Sequence, residues 1–181
     1  MPPTPSKTDL MKADGRTIQD VVAPDLKLLF CGINPGLYSA AIGHHFGRPG
    51  NRFWPALHQS GLTPRLLSPY EERELLRLGF GLTNIVERAT ARAGELSAEE
   101  LQAGFVSLEK KVIKYRPDWL AILGVGAYGT ITDNRRASAG KQERKIGGAK
   151  VWLLPNPSGL NAHFTLPKLV RVFDELKTAI E

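Results

Sequence analysis

Four short apolar runs constrain the fold of this chain more than any other feature of its sequence. They cover Leu26–Ile33, Gly81–Val86, Trp119–Leu123 and Val151–Leu154, and each has the length of a buried strand. The segments between them carry helical signals. Strands that alternate with amphipathic helices form a mostly parallel sheet covered on both faces. The sequence therefore predicts an α/β fold, a three-layer α/β/α arrangement with a short central sheet of about four strands.

The helical segments begin with recognisable capping boxes. Ser68–Glu71 is one, with proline at the first helical position, and Ser97–Glu100 is a second. The second box opens a segment whose apolar residues between Leu101 and Val112 fall on one helical face. The same pattern returns between Leu166 and Leu176, which predicts a last helix there.

The length of 181 residues fits one domain. Residues 1–24 are rich in Pro, Lys and Asp without periodicity, so we expect a loosely ordered N-terminal tail followed by a single domain over 25–181. The longest apolar runs are far shorter than the ~18 residues of a membrane helix. The first residues also lack the apolar core of a signal peptide. We therefore expect no membrane association and a cytoplasmic location.

Charge and cysteine content narrow the classes of partner and cofactor. The net charge of +6 suits a polyanionic partner, of which nucleic acid is the most common. Cys31 is the one cysteine, so a disulfide within the chain and the four-thiolate iron–sulfur or Cys-rich zinc sites are excluded. We expect it to be a small buried hydrophobe. The four histidines lack metal-binding spacing, and we expect no metal and no cofactor.

The loop Gly32–Gly36, with the sequence Gly-Ile-Asn-Pro-Gly, follows the first apolar run. Ligands of open α/β sheets bind beyond the carboxyl ends of the strands, which is where this loop is expected. Its glycines allow close approach of a ligand, Pro35 fixes the turn, and Asn34 offers a neutral amide. By itself the loop is either a structural turn or a phosphate-binding turn, although no G-x-G-x-x-G or G-K-[ST] pattern follows.

The loop Pro155–Asn161 follows the last apolar run, so we expect it at the same end of the sheet. Two prolines stiffen it and place Leu160 in a polar setting. An apolar side chain on a rigid loop is either a plug in the core or a wedge that inserts into a partner. The residues of this loop alone leave both interpretations open.

Together the two loops resemble those of the mismatch-specific uracil-DNA glycosylase family, which includes the thymine-DNA glycosylases. The resemblance extends from about Leu26 to Leu176. The matching segments are, in order, Gly32–Gly36, Gly50–Trp54, Gly81–Asn84, Val86–Arg88, Leu123–Gly124 and Asn156–Leu160. The combination of Gly-Ile-Asn-Pro-Gly with a later Asn-Pro-Ser-Gly-Leu resembles the pattern of the mismatch-specific family in particular, because other uracil-DNA glycosylases carry different first motifs.

The resemblance implies that the domain over 25–181 is a monofunctional DNA glycosylase. Such an enzyme excises uracil from G-mismatched double-stranded DNA by base flipping and hydrolysis of the N-glycosidic bond, and so initiates base excision repair. Etheno-cytosine and, weakly, thymine are further substrates that the resemblance implies. The expected partner is duplex DNA with a G·U mismatch, bound by a monomer. No lysine occupies a catalytic position, so the abasic site is expected to remain uncut.

The resemblance also implies roles for individual residues near the first loop. Asn34 is the expected catalytic residue, and it would position the attacking water, because an amide is a negligible base. Phe46 would stack on the flipped base, and main-chain N–H groups near Ile33 and Phe46 would bind its edge. Ser39 would lie at the 5-position of the base. The expected base-binding residues are Ile33, Ser39, Phe46 and Asn84.

In the second loop, Leu160 is implied to be a wedge, with Gly159 and Asn161 facing the guanine left without a partner. Glu87 is the candidate for an assisting acid, and the alternative for it is an ion pair with Arg88 or Arg52. Position 93, in the same loop, is alanine and offers no carboxylate.

A basic segment precedes the last apolar run and contains Arg135, Arg136, Lys141, Arg144 and Lys145. It predicts either a loop that contacts phosphates or a merely solvated loop. Two other functions stay open beside a glycosylase. One is a catalytically inert relative that binds mismatched DNA through the wedge. The other is a nucleotide or phosphoester enzyme that uses the glycine-rich first loop.

Overall fold

A five-stranded sheet forms the centre of the computed structural model, which describes residues 2–181. Its strand order is β2-β1-β3-β5-β4, and all neighbours are parallel except β4 and β5. The strands are β1 (Leu28–Gly32), β2 (Phe80–Asn84), β3 (Trp119–Leu123), β4 (Gly140–Ile146) and β5 (Ala149–Leu154). The predicted α/β fold with a mostly parallel sheet is confirmed, and β4 is added to the four expected strands.

The edge strand β4 corrects the interpretation of the basic segment as a loop. Lys141, Arg144 and Lys145 lie on this strand, and of its residues only Ile146 is buried. The strand therefore shows no apolar periodicity from which a sequence pattern could predict it. Charged side chains on an edge strand also discourage pairing with another chain.

Helices cover both faces of the sheet. They are α1 (Lys7–Lys12), α2 (Leu37–Ile42), α3 (Phe53–Gln59), α4 (Ala98–Tyr115), α5 (Val125–Thr132) and α6 (Leu166–Ile180). Short 3-10 helices cover Pro69–Leu78 and Ala93–Glu95. Both predicted capping boxes are present, although the first opens a 3-10 helix and not an α-helix. Within residues 2–181, no helix combines the length and the apolar character that crossing a bilayer requires.

Two apolar clusters fill the space between the sheet and its helices. One contains Phe30 of β1, which meets Phe53 of α3 edge to face at 5.3 Å and stacks near Phe173 of α6. The other packs α4 and α5 against the opposite face. Cys31 is fully buried there, as expected, and burial raises the pKa of its thiol. The two clusters make the structure a three-layer sandwich.

The N-terminal segment is part of the fold, which corrects the expectation of a loosely ordered tail over 1–24. Helix α1 is capped at its start, and Val21 is buried and pairs with Leu82 of β2. Asp20 forms an ion pair with Lys111 of α4. These contacts are isolated tertiary ones, so the segment has no periodicity that the sequence could reveal.

Candidate active site

A pocket of about 130 Å³ opens at the carboxyl ends of the parallel strands. Its walls come from the loop after β1, the segment that follows β2 and the loop after β5. Pockets for drug-sized molecules have volumes of about 300–1,000 Å³, so this one suits a single small ring. The structure thus brings the two loops together around one small site.

The Asn34 side chain is held in one orientation at the wall of this pocket. Its Nδ2 donates to the main-chain oxygen of Arg88 at 3.0 Å and to Oγ1 of Thr90 at 2.8 Å. A carbonyl oxygen can only accept, so the atom that faces Arg88 is the amide nitrogen. Thr90 directs its own hydroxyl hydrogen to the oxygen of Arg92 at 2.7 Å. The Oδ1 atom of Asn34 accepts no hydrogen bond within residues 2–181, and it is therefore free to accept one from a ligand.

The backbone of the first loop is fixed by pairing with the segment after β2. Ile85 and Val86 donate their N–H groups to the oxygens of Gly32 and Ile33, both at 2.9 Å, and Thr90 donates to Pro35 at 3.1 Å. Hydrogen bonds of this kind continue the β1–β2 ladder beyond the ends of both strands. Main-chain hydrogen bonds therefore hold the backbone on both sides of Asn34.

Gly32 makes room for the base-binding residues that the sequence predicted. A Cβ atom at this position would lie 2.6 Å from Oδ1 of Asn84 and 3.4 Å from the ring of Phe46. Real Cβ contacts are never so short, so a larger residue would displace the Asn84 amide. Close approach of side chains, not a turn, is the reason for glycine here.

Phe46 and Ser39 also line the pocket. The Phe46 ring stacks on Phe53 at 4.0 Å with an angle of 24° between the rings. The backbone of Phe46 is in the left-handed region, with φ of 52°. Ser39 is buried, and its Oγ accepts the N–H of Gly47 at 2.9 Å. Both residues line the pocket together with Ile33 and Asn84, so the structure brings all four expected base-binding residues to one place.

His45 connects Asn84 to the N-terminal segment. The imidazole is buried, with Nε2 lying 3.0 Å from the oxygen of Gln19 and Nδ1 lying 3.5 Å from Nδ2 of Asn84. Burial lowers the pKa of His45, so the ring is neutral near pH 7. A neutral ring that donates from Nε2 to Gln19 has an acceptor at Nδ1, and this acceptor receives the Asn84 amide.

The loop after β5 places Leu160 at the rim of the pocket with 64% of its surface exposed. Asn156 Oδ1 accepts the N–H of Ser158 at 2.9 Å, and Asn161 Nδ2 donates to the Asn156 oxygen at 3.0 Å. These bonds make a tight local loop with Leu160 and Gly159 at its exposed tip. The interpretation of Leu160 as a core plug is therefore wrong.

Comparison with known proteins identifies the family. The sequence profile of the uracil DNA glycosylase superfamily matches residues 19–177. The chain belongs to this superfamily. Its members are DNA glycosylases, hydrolases that remove uracil from DNA in repair. The match starts at residue 19, within the N-terminal segment that packs against the pocket.

A solved structure shares the uracil DNA glycosylase fold of this chain. It is the solution structure of a Methanosarcina acetivorans protein that carries the provisional name uracil DNA glycosylase. The TM-score is 0.58 at 19% sequence identity, and the alignment covers 90% of this chain and 98% of that one. At this identity the likeness shows the fold alone.

Glu87 lies outside the pocket. Its side chain is 69% exposed, lies 4.0 Å from Lys111 and is absent from the pocket wall. Arg88 pairs with Glu100 and lowers the pKa of that carboxyl to about 2, so neither expected partner of Glu87 binds it. The residue lies beyond β2 on the side of α4, which turns it away from the pocket. Among the described residues, the pocket wall contains no Asp or Glu.

Sequence reasoning missed three residues that support the pocket or the loop after β5. Thr90 orients Asn34, His45 supports Asn84, and Arg52 contacts the loop after β5. The adjacent pair His44–His45 was considered only as a metal site. No local pattern marks Thr90, and the motif Gly50–Trp54 contains Arg52 without indicating its contact, because the partners of Arg52 lie more than 100 residues away in the sequence.

Proposed function

We propose that the protein is a monofunctional, mismatch-specific uracil-DNA glycosylase that acts on uracil opposite guanine in duplex DNA and initiates base excision repair. The observation that carries the proposal is the free Oδ1 of Asn34 in a pocket of one-ring size with the exposed Leu160 at its rim. A site for one base and a wedge beside it are the two parts that such a reaction needs.

The size and position of the pocket support base flipping as the way in which the base reaches it. A base within a duplex cannot reach a pocket at the end of a sheet, so it must leave the stack at a cost of a few kcal/mol. A G·U mismatch pairs less well than a normal pair, which lowers that cost. Leu160 fills the vacated space, while main-chain groups of Gly159 and Asn161 face the remaining guanine.

The flipped uracil lies between the Phe46 ring and the first loop. Stacking of a base on an aromatic ring contributes about 1–3 kcal/mol, which offsets part of the flipping cost. The Asn84 amide reads the edge of the base. Buried Ser39 limits the space at its 5-position, which disfavours the methyl group of thymine.

Hydrolysis begins with cleavage of the C1′–N1 bond, whose electron pair leaves with uracil. Main-chain N–H groups near Ile33 and Phe46 stabilise this anion. The oxocarbenium-like sugar then accepts a water that Asn34 Oδ1 has positioned, and the proton of that water is released to solvent. Since no carboxylate lines the described pocket wall, positioning supplies the catalysis and the enzyme is slow.

Two arginines at the mouth of the pocket support binding of DNA. Arg48 and Arg92 are exposed, line the groove beside Leu160 and form no ion pair within residues 2–181. Guanidinium groups at this place bind the phosphates that flank the flipped nucleotide. Binding should consequently weaken steeply as the salt concentration rises.

A strand-cleavage assay tests the proposal. An end-labelled duplex with a single G·U pair is incubated with the protein, and half of each sample is then treated with hot alkali. We expect a cleaved strand only after alkali, and slower product formation on otherwise identical duplexes that contain an A·U pair or a G·T mismatch. An uncut strand with a retarded band on a native gel would identify an inert binder instead. Equal rates on G·U and A·U would overturn the mismatch specificity.

A further inference from the structure

Arg52 directs its whole guanidinium group to main-chain oxygens of the segment after β5. Nε donates to Pro157 at 3.4 Å, Nη2 to Ser158 and to Asn161 at 2.9 Å, and Nη1 to Phe164. The main-chain N–H of Arg52 also donates to Pro157 at 3.0 Å. One side chain thus holds four carbonyl groups on both sides of Leu160.

The loop has no other support of this kind. Its remaining side-chain hydrogen bonds are local ones among Asn156, Ser158, Leu160 and Asn161. Leu160 is too exposed to be held by burial. Within residues 2–181, Arg52 is the only side chain outside the loop that donates to it, so its loss would leave the tip without a fixed position.

Gly159 packs the same loop against the backbone next to Arg52. A Cβ atom at Gly159 would lie 3.0 Å from the main-chain oxygen of Gly50. Arg52 itself precedes α3, whose first residues Phe53 and Trp54 are buried in the core. The segment from Gly50 to Arg52 is therefore a platform that connects the loop to the core of the protein.

The chemistry of this contact is specific to arginine. Guanidinium carries five N–H donors in a rigid planar fork, whereas the lysine ammonium group is a compact charge on a flexible stem. Arg52 forms no ion pair with a carboxylate within the described residues, so the carbonyl groups are its principal partners. Lysine at this position would keep the charge but lose the simultaneous bonds.

We infer that Arg52 is the positioning residue of the wedge. It fixes the position and orientation of Leu160 beside the pocket. The inference rests on the proposed function. Arg52 is not part of the pocket wall and touches neither the base nor the water. Its effect on base excision passes through Leu160, and this distinguishes it from the residues that line the pocket.

A double-mutant cycle tests the inference. Single-turnover rates on the G·U duplex are measured for the parent, Arg52→Lys, Leu160→Ala and the double variant. We expect Arg52→Lys to lower the rate about tenfold or more, since several charge-assisted bonds are lost. The double variant should be no slower than Leu160→Ala alone, because a displaced wedge and an absent wedge have the same result.

Arg65→Lys is the matched control, because Arg65 is an exposed arginine whose side chain, among residues 2–181, forms an ion pair only with Glu71. Its rate and its melting temperature should equal those of the parent. If Arg52→Lys melts well below this control, Arg52→Gln replaces it in the cycle, since glutamine still donates to two carbonyl groups.

Two results would overturn the inference. One is parental activity of the folded Arg52 variant. The other is a double variant slowed by the product of the two single effects, which would mean that Arg52 acts independently of Leu160. A parent protein that leaves no alkali-labile site would instead refute the proposed function, so the two failures are distinguishable.

Discussion

The loop after β1 and the loop after β5 leave the same end of the sheet but are held by different means. The first continues the β1–β2 ladder, and its Asn34 amide is fixed by Arg88 and Thr90. The second projects Leu160 into solvent and is held by hydrogen bonds from Arg52. The first loop is stabilised by pairing with the segment after β2, and the second by the side chain of Arg52, which directly precedes α3.

The difference follows from what each loop has to do in the proposed reaction. A group that positions water needs one amide orientation in a sheltered place, and backbone pairing provides both. A wedge has to be exposed to enter the DNA, so burial cannot hold it. Hydrogen bonds to its main-chain carbonyls fix such a loop and leave its apolar tip free.

The largest effect is expected for Asn34→Ala. Loss of the water-positioning oxygen should lower the single-turnover rate on G·U duplexes about 100-fold or more. Retarded bands on native gels should show unchanged binding, because the wedge remains. Asn134→Ala, at an exposed position that does not line the pocket, is the control and should have the parental rate. Parental activity of Asn34→Ala would refute its catalytic role.

Leu160→Ala should have the next largest effect and a different signature. Removal of the wedge forfeits the burial of one leucine in the DNA stack, which corresponds to a loss of about 10- to 100-fold in kcat/KM. The loss should be greater on duplex DNA than on single-stranded uracil DNA, where no stack is filled. Leu66→Ala, another exposed leucine, serves as the control. Equal losses on both substrates would contradict the wedge role.

Thr90→Val tests the support of the first loop and should have a smaller effect. The change keeps the shape of the side chain but removes the hydroxyl that accepts from Asn34, while the bond to Arg88 remains. One hydrogen bond of about 0.5–1.5 kcal/mol corresponds to a loss of about two- to tenfold in rate. Thr90→Ser keeps the hydroxyl and should preserve the rate. If valine and serine behaved alike, Thr90 would not orient Asn34.

The smallest effect concerns pH and comes from His45, which supports Asn84 beside the first loop. Burial holds the pKa of His45 below its ordinary value of about 6.5. Below that pH the unfolded chain therefore binds a proton at His45 that the folded protein does not bind. The contribution of His45 to the free energy of unfolding is therefore fully present above pH 6.5. It is lost as the pH falls toward the pKa of His45 in the folded protein.

Urea unfolding at pH 7.5, 6.5 and 5.5 measures this dependence. The contribution of one group is at most about 1.4 kcal/mol per pH unit. His45→Gln should reduce the change in the free energy of unfolding between pH 6.5 and 5.5, whereas Arg52→Lys should leave that change as it is in the parent. A parental slope in His45→Gln would show that other groups cause the dependence.

Much of this molecule was predictable because its signals are local. The apolar runs of β1, β2, β3 and β5 have strand length, and the box at Ser97 begins α4 as expected. The prediction was wrong where an element lacks apolar periodicity or where the evidence lies in contacts between distant residues. Charged β4 has no apolar pattern, and the segment around Val21 pairs with a strand 60 residues later in the chain.

The sequence by itself determined four of the five strands, the helices α4 and α6 and the two glycine- and proline-rich loops, since local backbone preference and apolar spacing act over a few residues. Tertiary structure alone decided the orientation of the Asn34 amide, the exclusion of Glu87 from the pocket and the support of Leu160 by Arg52. These features depend on hydrogen bonds and directions between segments 50 to 110 residues apart. Spacing along the chain carries no information on such contacts until the sheet has brought the segments together.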